Sequence, residues 1–288
     1  MDLPAQVWVQ AIANGLALGW LYVLMALGLT LILGIMGILQ LAHGEVYMIG
    51  AYVVYYLSVS WGVNLYAAMF LSMAVMAVFG IFIERFLFRP VQGQLLPAIV
   101  VSVGLILILT SGAVVGFGLY ERSIPRLAHG SFEILGGAVP KDRVIAVVFA
   151  GALLLLLYLF LKKSKYGQAM VASAQSREGA LLRGITPNQM SAMAMAIGCA
   201  LAAAGGTLAG SILMLTPFMG TFPLLKGLVI IVLGGMGSLL GAAIGGIFLG
   251  LIDGVVPVAF GPEVTSLAPL IIVIFILLVR PQGLFGHE

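Results

Sequence analysis

His43 and Glu45 stand two residues apart in Gln40-Leu41-Ala42-His43-Gly44-Glu45, and no other acidic or basic side chain occurs between Leu3 and Ile83. Charges at membrane depth are usually functional, so this pair could gate a pathway or carry protons. The alternative is an ordinary interfacial turn between two spans, broken by Gly44. Asp253, beside Gly254, poses a similar choice between an ion or substrate ligand and a loop position. The chain has no His-Glu-x-x-His pair, Cys-x-x-Cys pair, Gly-x-Ser-x-Gly elbow or Gly-x-x-x-x-Gly-Lys-Ser/Thr nucleotide loop. Nothing marks it as an enzyme or as a motor in its own right.

Two glycine motifs point to a pathway more directly. Leu33-Gly34-Ile35-Met36-Gly37-Ile38-Leu39 and Leu233-Gly234-Gly235-Met236-Gly237-Ser238-Leu239 share the pattern Leu-Gly-x-Met-Gly-x-Leu. Transporters are often built from repeats whose glycine-interrupted helices meet near the substrate path. An internal repeat would make Gly34, Gly37, Gly234 and Gly237, with His43 and Glu45, pathway or gate residues. The other reading is that these small residues serve helix packing alone.

The segment from Lys162 to Pro187 is long, basic and helical in character. Alanine and other good helix formers run from Gln168 to Arg183, and Gly184 followed by Pro187 supplies a stop. Met170, Ala174 and Leu181 share a face at helical spacing, while Ala172, Ser176 and Gly179 are small enough for close approach by another protein. Such a helix could press into a groove of a cytoplasmic partner. Its apolar face is weak for a helix lying on a membrane.

The elements that must position these residues are membrane spans. Of 288 residues, 62% are hydrophobic and only 8% charged, against about 25% charged in a soluble domain. Sixteen of the 23 charges fall in Glu84 to Arg89, Glu121 to Arg143 and Lys162 to Arg183, so they punctuate apolar stretches. The net charge of +3 belongs beside lipid headgroups and does not point to nucleic acid. A span needs about 20 apolar residues. Candidates run over 8–36, 46–60, 63–83, Leu95 to Leu119, Val144 to Leu161, Met190 to Leu215, Leu228 to Ile252 and Thr265 to Val279, about eight in all. The second is short and the seventh is interrupted at Gly234-Gly235-Met236-Gly237, so broken or re-entrant helices are expected among them.

Arg85 and Arg89 in one loop, and Lys162, Lys163, Lys165, Arg177 and Arg183 in another, assign both loops to the cytoplasm. The loop from Tyr120 to Arg143 then lies outside, despite four basic residues. The N-terminus lacks the basic region and cleavage site of a signal peptide, so the first helix is expected to persist in the mature protein. Cys199, the single cysteine, sits in an apolar stretch and is expected to pack there. Proton- and sodium-coupled carriers usually bury several charged groups among their helices, and here the helix interiors read as nearly bare. That favours energy supplied by a partner over a gradient-driven carrier or channel.

Three stretches resemble permease subunits of bacterial ABC importers, of the branched-chain amino acid LIV-H type. The first runs from Gly19 to Glu45 and ends in His43-Gly44-Glu45; the second runs from Tyr166 to Ile185 and carries Ala174, Gln175, Glu178, Ala180, Leu182 and Gly184. The third comprises Lys226 to Ser238 with the ending Arg280-Pro-Gln-Gly-Leu-Phe-Gly286. The chain departs from the family pattern at Ser176-Arg177, where an acidic or amide residue usually follows Gln175.

The resemblance implies an all-α polytopic fold, a single permease domain over 1–288, and a coupling loop over 162–188. Ala174, Gln175, Arg177, Glu178, Gly179, Leu182 and Gly184 would meet the ATPase. It also implies a homologous second permease, cytoplasmic ATPases holding ATP and Mg, a periplasmic substrate-binding protein and a bacterial inner membrane, with no cofactor in this chain. Urea, short amides or another amino acid are alternative cargoes within the same family.

Overall fold

The computed structural model describes residues 4–134, 136–235 and 237–261, with Val264 and Ile271 besides. Its helices are α1 (Ala5–Met36), α2 (His43–Tyr55), α3 (Leu65–Ile83), α4 (Leu95–Phe117), α5 (Lys141–Lys163), α6 (Lys165–Gln175), α7 (Arg177–Leu182), α8 (Pro187–Ile212), α9 (Thr221–Gly234) and α10 (Leu239–Phe260). A short antiparallel hairpin, β1 (Ser131–Ile134) and β2 (Gly137–Pro140), lies in the loop before α5 and is the one exception to the all-α expectation among the described residues.

Six helices among the described residues are long and apolar enough to cross a membrane: α1, α3 continued to Val91, α4, α5, α8 and α10. The chain is a multi-pass membrane protein, and two of the predicted crossings take other forms among the described residues. The second predicted span becomes α2, 13 residues followed by a π-helical turn over Tyr56–Ser60. The seventh resolves into the 14-residue α9 and the full-length α10. The eighth, from Thr265 to Val279, lies outside the described residues but for Ile271, as does the whole motif from Arg280 to Gly286.

The split at the seventh span has a local cause. Gly235 and Gly237 take φ of 88° and 86°, values that L side chains rarely adopt, and Ser238 then starts a new helix by accepting the amide of Gly241 at 3.0 Å. The first motif ends a helix in the same manner. Gly37 adopts a left-handed conformation and donates its amide to the Leu33 carbonyl at 2.9 Å. The chain then turns back, so that α2 begins beside the middle of α1, with the His43 ring against Gly28.

α1 and α8 form the centre of the bundle. In the most apolar windows of each, 72% of residues are buried, against 22% in α4 and 28% in α5. Lipid leaves an exposed leucine unpenalised, so association rests on close packing of small residues. A Cβ on Gly50 of α2 would lie 2.5 Å from the Cα of Ala203 in α8, and one on Gly15 of α1 would lie 2.8 Å from the Gly250 carbonyl of α10. Neither position has room for one.

The two ends of the bundle differ. At one end Gln92 donates to Ser191 Oγ at 3.0 Å, and Arg177 donates to Gln92 Oε1 at 2.9 Å and Asn188 Oδ1 at 3.1 Å. These bonds bring the two predicted cytoplasmic loops together. The 23-residue α4, about 34 Å long at 1.5 Å per residue, carries the chain from there to the hairpin end. At that end Arg122 donates to the Phe117 carbonyl and Tyr56 hydroxyl, and pairs through its backbone with Leu215.

Candidate functional site

The basic segment forms two helices where one was expected. Ser176 adopts extended backbone, with φ −153° and ψ 113°, and its hydroxyl accepts the Gly179 amide at 3.0 Å. This cap ends α6 and starts α7. A second serine cap, Ser164 accepting from Gly167 at 2.9 Å, starts α6 itself. Gly167 lets α6 rest directly on the backbone of Phe160 and Leu161 at the end of α5.

The buried face is Gly167, Met170 and Ser173 of α6 with Ala180 of α7. The predicted face of Met170, Ala174 and Leu181 does not form: Ala174 is exposed, and Leu181, beyond the break at Ser176 that resets the helical phase, is 57% exposed. Glu178 and Leu182 are also exposed, Leu182 at 90%, and Gln175 is exposed as well. Gly184 closes the segment at φ 76°. Arg177, predicted to face a partner, is bonded to Gln92 and Asn188 of its own chain.

Behind this segment lies a cavity of about 460 Å3. The last turns of α1 supply Thr30, Leu31, Gly34 and Ile35; α5 supplies Leu161; α6 supplies Val171, Ala174 and Gln175. Gly237, Ser238 and Leu239, at the start of α10, complete it. Residues from both glycine motifs and from the basic segment, separated by some 200 positions in sequence, therefore line one chamber. A Cβ on Gly34 would meet Gly237 Cα at 3.8 Å, so the two motifs approach each other at van der Waals distance. A hollow of about 410 Å3 adjoins it through Val171, Gln175 and Leu239 and reaches Lys162 and Gln168.

His43 and Glu45 are not in an interfacial turn. They form the first turn of α2, inside the bundle and only 0% and 5% exposed, and Gly44 continues the helix by packing against Gly220. His43 Nδ1 lies 3.2 Å from Gln40 Oε1. Cys199 is buried on α8, as its apolar setting suggested.

Asp253 is likewise not in a loop. It sits in α10, takes Lys226 Nζ of α9 at 2.8 Å on one carboxylate oxygen, and takes the Tyr22 hydroxyl of α1 at 2.8 Å on the other. The helix interiors are therefore less bare than composition implied. Lys226 precedes the apolar run that begins at Leu228, and the start of α9 at Thr221 brings it into a helix.

Over residues 11–279 the chain matches the family described as branched-chain amino acid transport system, permease component. It belongs to that family. The high-affinity branched-chain amino acid transport system permease protein BraD of Pseudomonas aeruginosa is 32% identical, covering 97% of this chain and 96% of its own. LivH of Escherichia coli, of the same description, is 31% identical with the same coverage. LivM of Escherichia coli is 28% identical over 76% of this chain and 57% of its own. The solved structure of PsaBC from Streptococcus pneumoniae, in complex with Fab, shares the fold at a TM-score of 0.53, with 14% identity over 93% of this chain and 91% of that one.

Within this permease family member, the predicted site residues fall into four places. Gly34, Gly237, Ala174 and Gln175 meet at the cavity. Glu178, Gly179, Leu182 and Gly184 lie on α7 or just after it. His43 and Glu45 stand apart at the start of α2, while Gly37 and Gly234 are helix-ending positions outside the cavity lining. Thr30 and Ser238 were missed: a threonine in an apolar run and a serine after glycine carry no signal until the fold places them on one wall.

Proposed function

We propose that this chain is the membrane-spanning permease of an ATP-driven importer that carries branched-chain amino acids across the bacterial inner membrane. It works beside a homologous second permease, with cytoplasmic ATPases that hold ATP and Mg and a periplasmic binding protein that delivers the cargo. The observation that carries this reading is the face of α6 and α7, where Leu181 and Leu182 stand exposed beyond the spans at the basic end of the bundle. Exposed leucines next to the polar Gln175 and Glu178 are a docking patch for another protein. The positive charges around them favour the cytoplasmic side.

On this reading ATP binding draws the ATPases together against α6 and α7 and shifts the permease between outward-facing and inward-facing states. Because α6 is a wall of the cavity, a displacement of the segment acts on the cavity directly. Lys226 and Asp253 favour a gradient-driven carrier less than their membrane depth suggests, since both Asp253 oxygens are already engaged by Lys226 and Tyr22.

The test is reconstitution. Liposomes containing the chain alone should show no uphill leucine uptake, and adding the second permease, the ATPases and the binding protein should produce it in an ATP-dependent manner. Accumulation of leucine by the chain alone, under a proton or sodium gradient, rules the reading out.

A further inference from the structure

We infer that α5 holds an anionic phospholipid from the leaflet at the basic end of the bundle, its acyl chain in an apolar groove beside α10 and its phosphate between α5 and α6. The groove has a volume of about 230 Å3 and is lined by Leu154, Leu155 and Leu157 of α5 and Leu240 of α10. Leu155 and Leu240 are 57% and 64% exposed, so it opens away from the bundle. Tyr158 and Leu239 line both this groove and the hollow of about 410 Å3 that reaches Lys162 and Gln168. One track therefore leads from a wall of leucines to a basic mouth.

The mouth suits a phosphate. Lys162 Nζ donates to the Tyr158 hydroxyl at 3.3 Å and lies 5.5 Å from the centre of its ring. The hydroxyl accepts in that bond, so its own proton remains to be donated, and the ammonium keeps two more. Lys163 and Lys165 stand exposed on either side of Ser164, and none of the three lysines has an acidic partner among the described residues. The chain carries no Asp or Glu between Asp142 and Glu178. Lysines placed where a helix leaves the membrane attract anionic headgroups, each by about 5-fold.

The lining favours a lipid over another helix. Helices meet in a membrane through small residues, as at Gly15 and Gly50 here, whereas this groove is walled by leucines and a tyrosine. A tail that leaves the bilayer for such a wall gains little, because lipid is as apolar as leucine. The headgroup contact therefore decides which lipid is held. Gln168, Val171, Ala172 and Gln175 of α6 wall the hollow at the mouth, so a bound lipid braces α6 against α5.

Trp20 reports on the groove, since a Cβ on the groove residue Gly151 would stand 3.5 Å from its ring. The experiment uses the full-length chain with Trp8→Phe and Trp61→Phe, which leave Trp20 as its one tryptophan. It is reconstituted in phosphatidylcholine vesicles containing brominated phosphatidylglycerol or, separately, brominated phosphatidylcholine, and Trp20 fluorescence is measured against the mole fraction of each. Half-maximal quenching should need at least about 5-fold less phosphatidylglycerol. Lys162→Ala should shrink that preference about 5-fold, and Lys162→Arg should keep it. Gly151→Leu, which fills the groove and leaves the lysines in place, should abolish it; if that variant fails to insert, Leu155→Phe fills the same groove.

Equal quenching by the two lipids, or a preference untouched by Lys162→Ala, overturns the site. A preference that survives both groove-filling changes means lipid gathered by surface charge alone, and overturns it as well. So does an absence of quenching by either lipid, which means that a protein surface covers the groove. The measurement involves no transport, so its outcome is separate from the permease reading.

Discussion

The hairpin end and the basic end of the bundle solve the problem of leaving the membrane in opposite ways. At the hairpin end the chain closes on itself: Arg122 is held by the Phe117 carbonyl, the Tyr56 hydroxyl and a backbone pairing with Leu215, and lies over the rings of Tyr55 and Tyr56. At the basic end only the root of the segment is tied down, by Arg177 and by the seat of Gly167 on α5. Its outer face keeps Leu181 and Leu182 in the open, and a cavity lies behind it. One end uses its polar groups within the chain, and the other leaves Leu181 and Leu182 uncovered.

The contrast breaks most sharply at Leu182. Leu182→Asp should lower ATP-driven leucine uptake by the reconstituted transporter about 30-fold or more, the loss typical of a docking hot spot. The thermal midpoint of the isolated chain should barely move, because an exposed substitution costs within about 0.5 kcal/mol. Uptake that survives this change would remove the docking role of α7.

Asp253→Leu tests the middle of the bundle, between the two ends. It leaves Lys226 unpaired at membrane depth and should destabilise the chain by about 2–3 kcal/mol, somewhat below the loss for a fully buried pair because Lys226 is partly exposed. Lys226→Met added to it should recover most of the thermal midpoint. Failure of the double substitution to recover would assign the pair a role beyond mutual neutralisation.

Arg122→Ala at the hairpin end should cost about 1–2 kcal/mol in thermal or denaturant unfolding, through loss of its charge-assisted bond to the Phe117 carbonyl and its stacking on Tyr55 and Tyr56. Leucine uptake per folded complex should stay close to that of the native chain. The smallest effect belongs to Ser176→Ala, which removes the α7 cap and costs about 1 kcal/mol. It should appear as faster amide hydrogen exchange at Gly179 and Ala180, confined to α7. An effect of Arg122→Ala on uptake larger than that of Leu182→Asp would invert the comparison of the two ends.

Hydropathy placed α1, α3, α4, α5 and α8 nearly where they form, because a helix in lipid must satisfy its own backbone and so needs an unbroken apolar run. It failed where a span was not a simple run. α2 looked like a short crossing, yet it starts inside the bundle, since Gly37 turns the chain back and small residues at Gly44 and Gly50 let it press against Gly220 and Ala203. Asp253 left a choice between a ligand and a loop position, and the structure instead pairs it with Lys226; a single charge is unfavourable in lipid, pairing removes that objection, and pairing is invisible along a linear chain. The glycine motifs pointed to Gly34 and Gly237 as pathway residues, whereas Ala174 and Gln175 were expected to meet a partner and Thr30 and Ser238 carried no signal, although all six line the cavity.

Residue order alone determined that this protein lives in lipid, that its charges gather in the connections between helices, that a basic alanine-rich segment leaves the membrane, and that the chain carries the motifs of a permease family. Each of these follows from local composition. The tertiary structure decided which end of which helix faces which: that the end of α1, the start of α10 and the side of α6 enclose one chamber, and that Asp253 finds Lys226. Those pairings depend on how closely backbones approach across a glycine contact, and a packing distance between residues some 200 positions apart is a property of the folded chain.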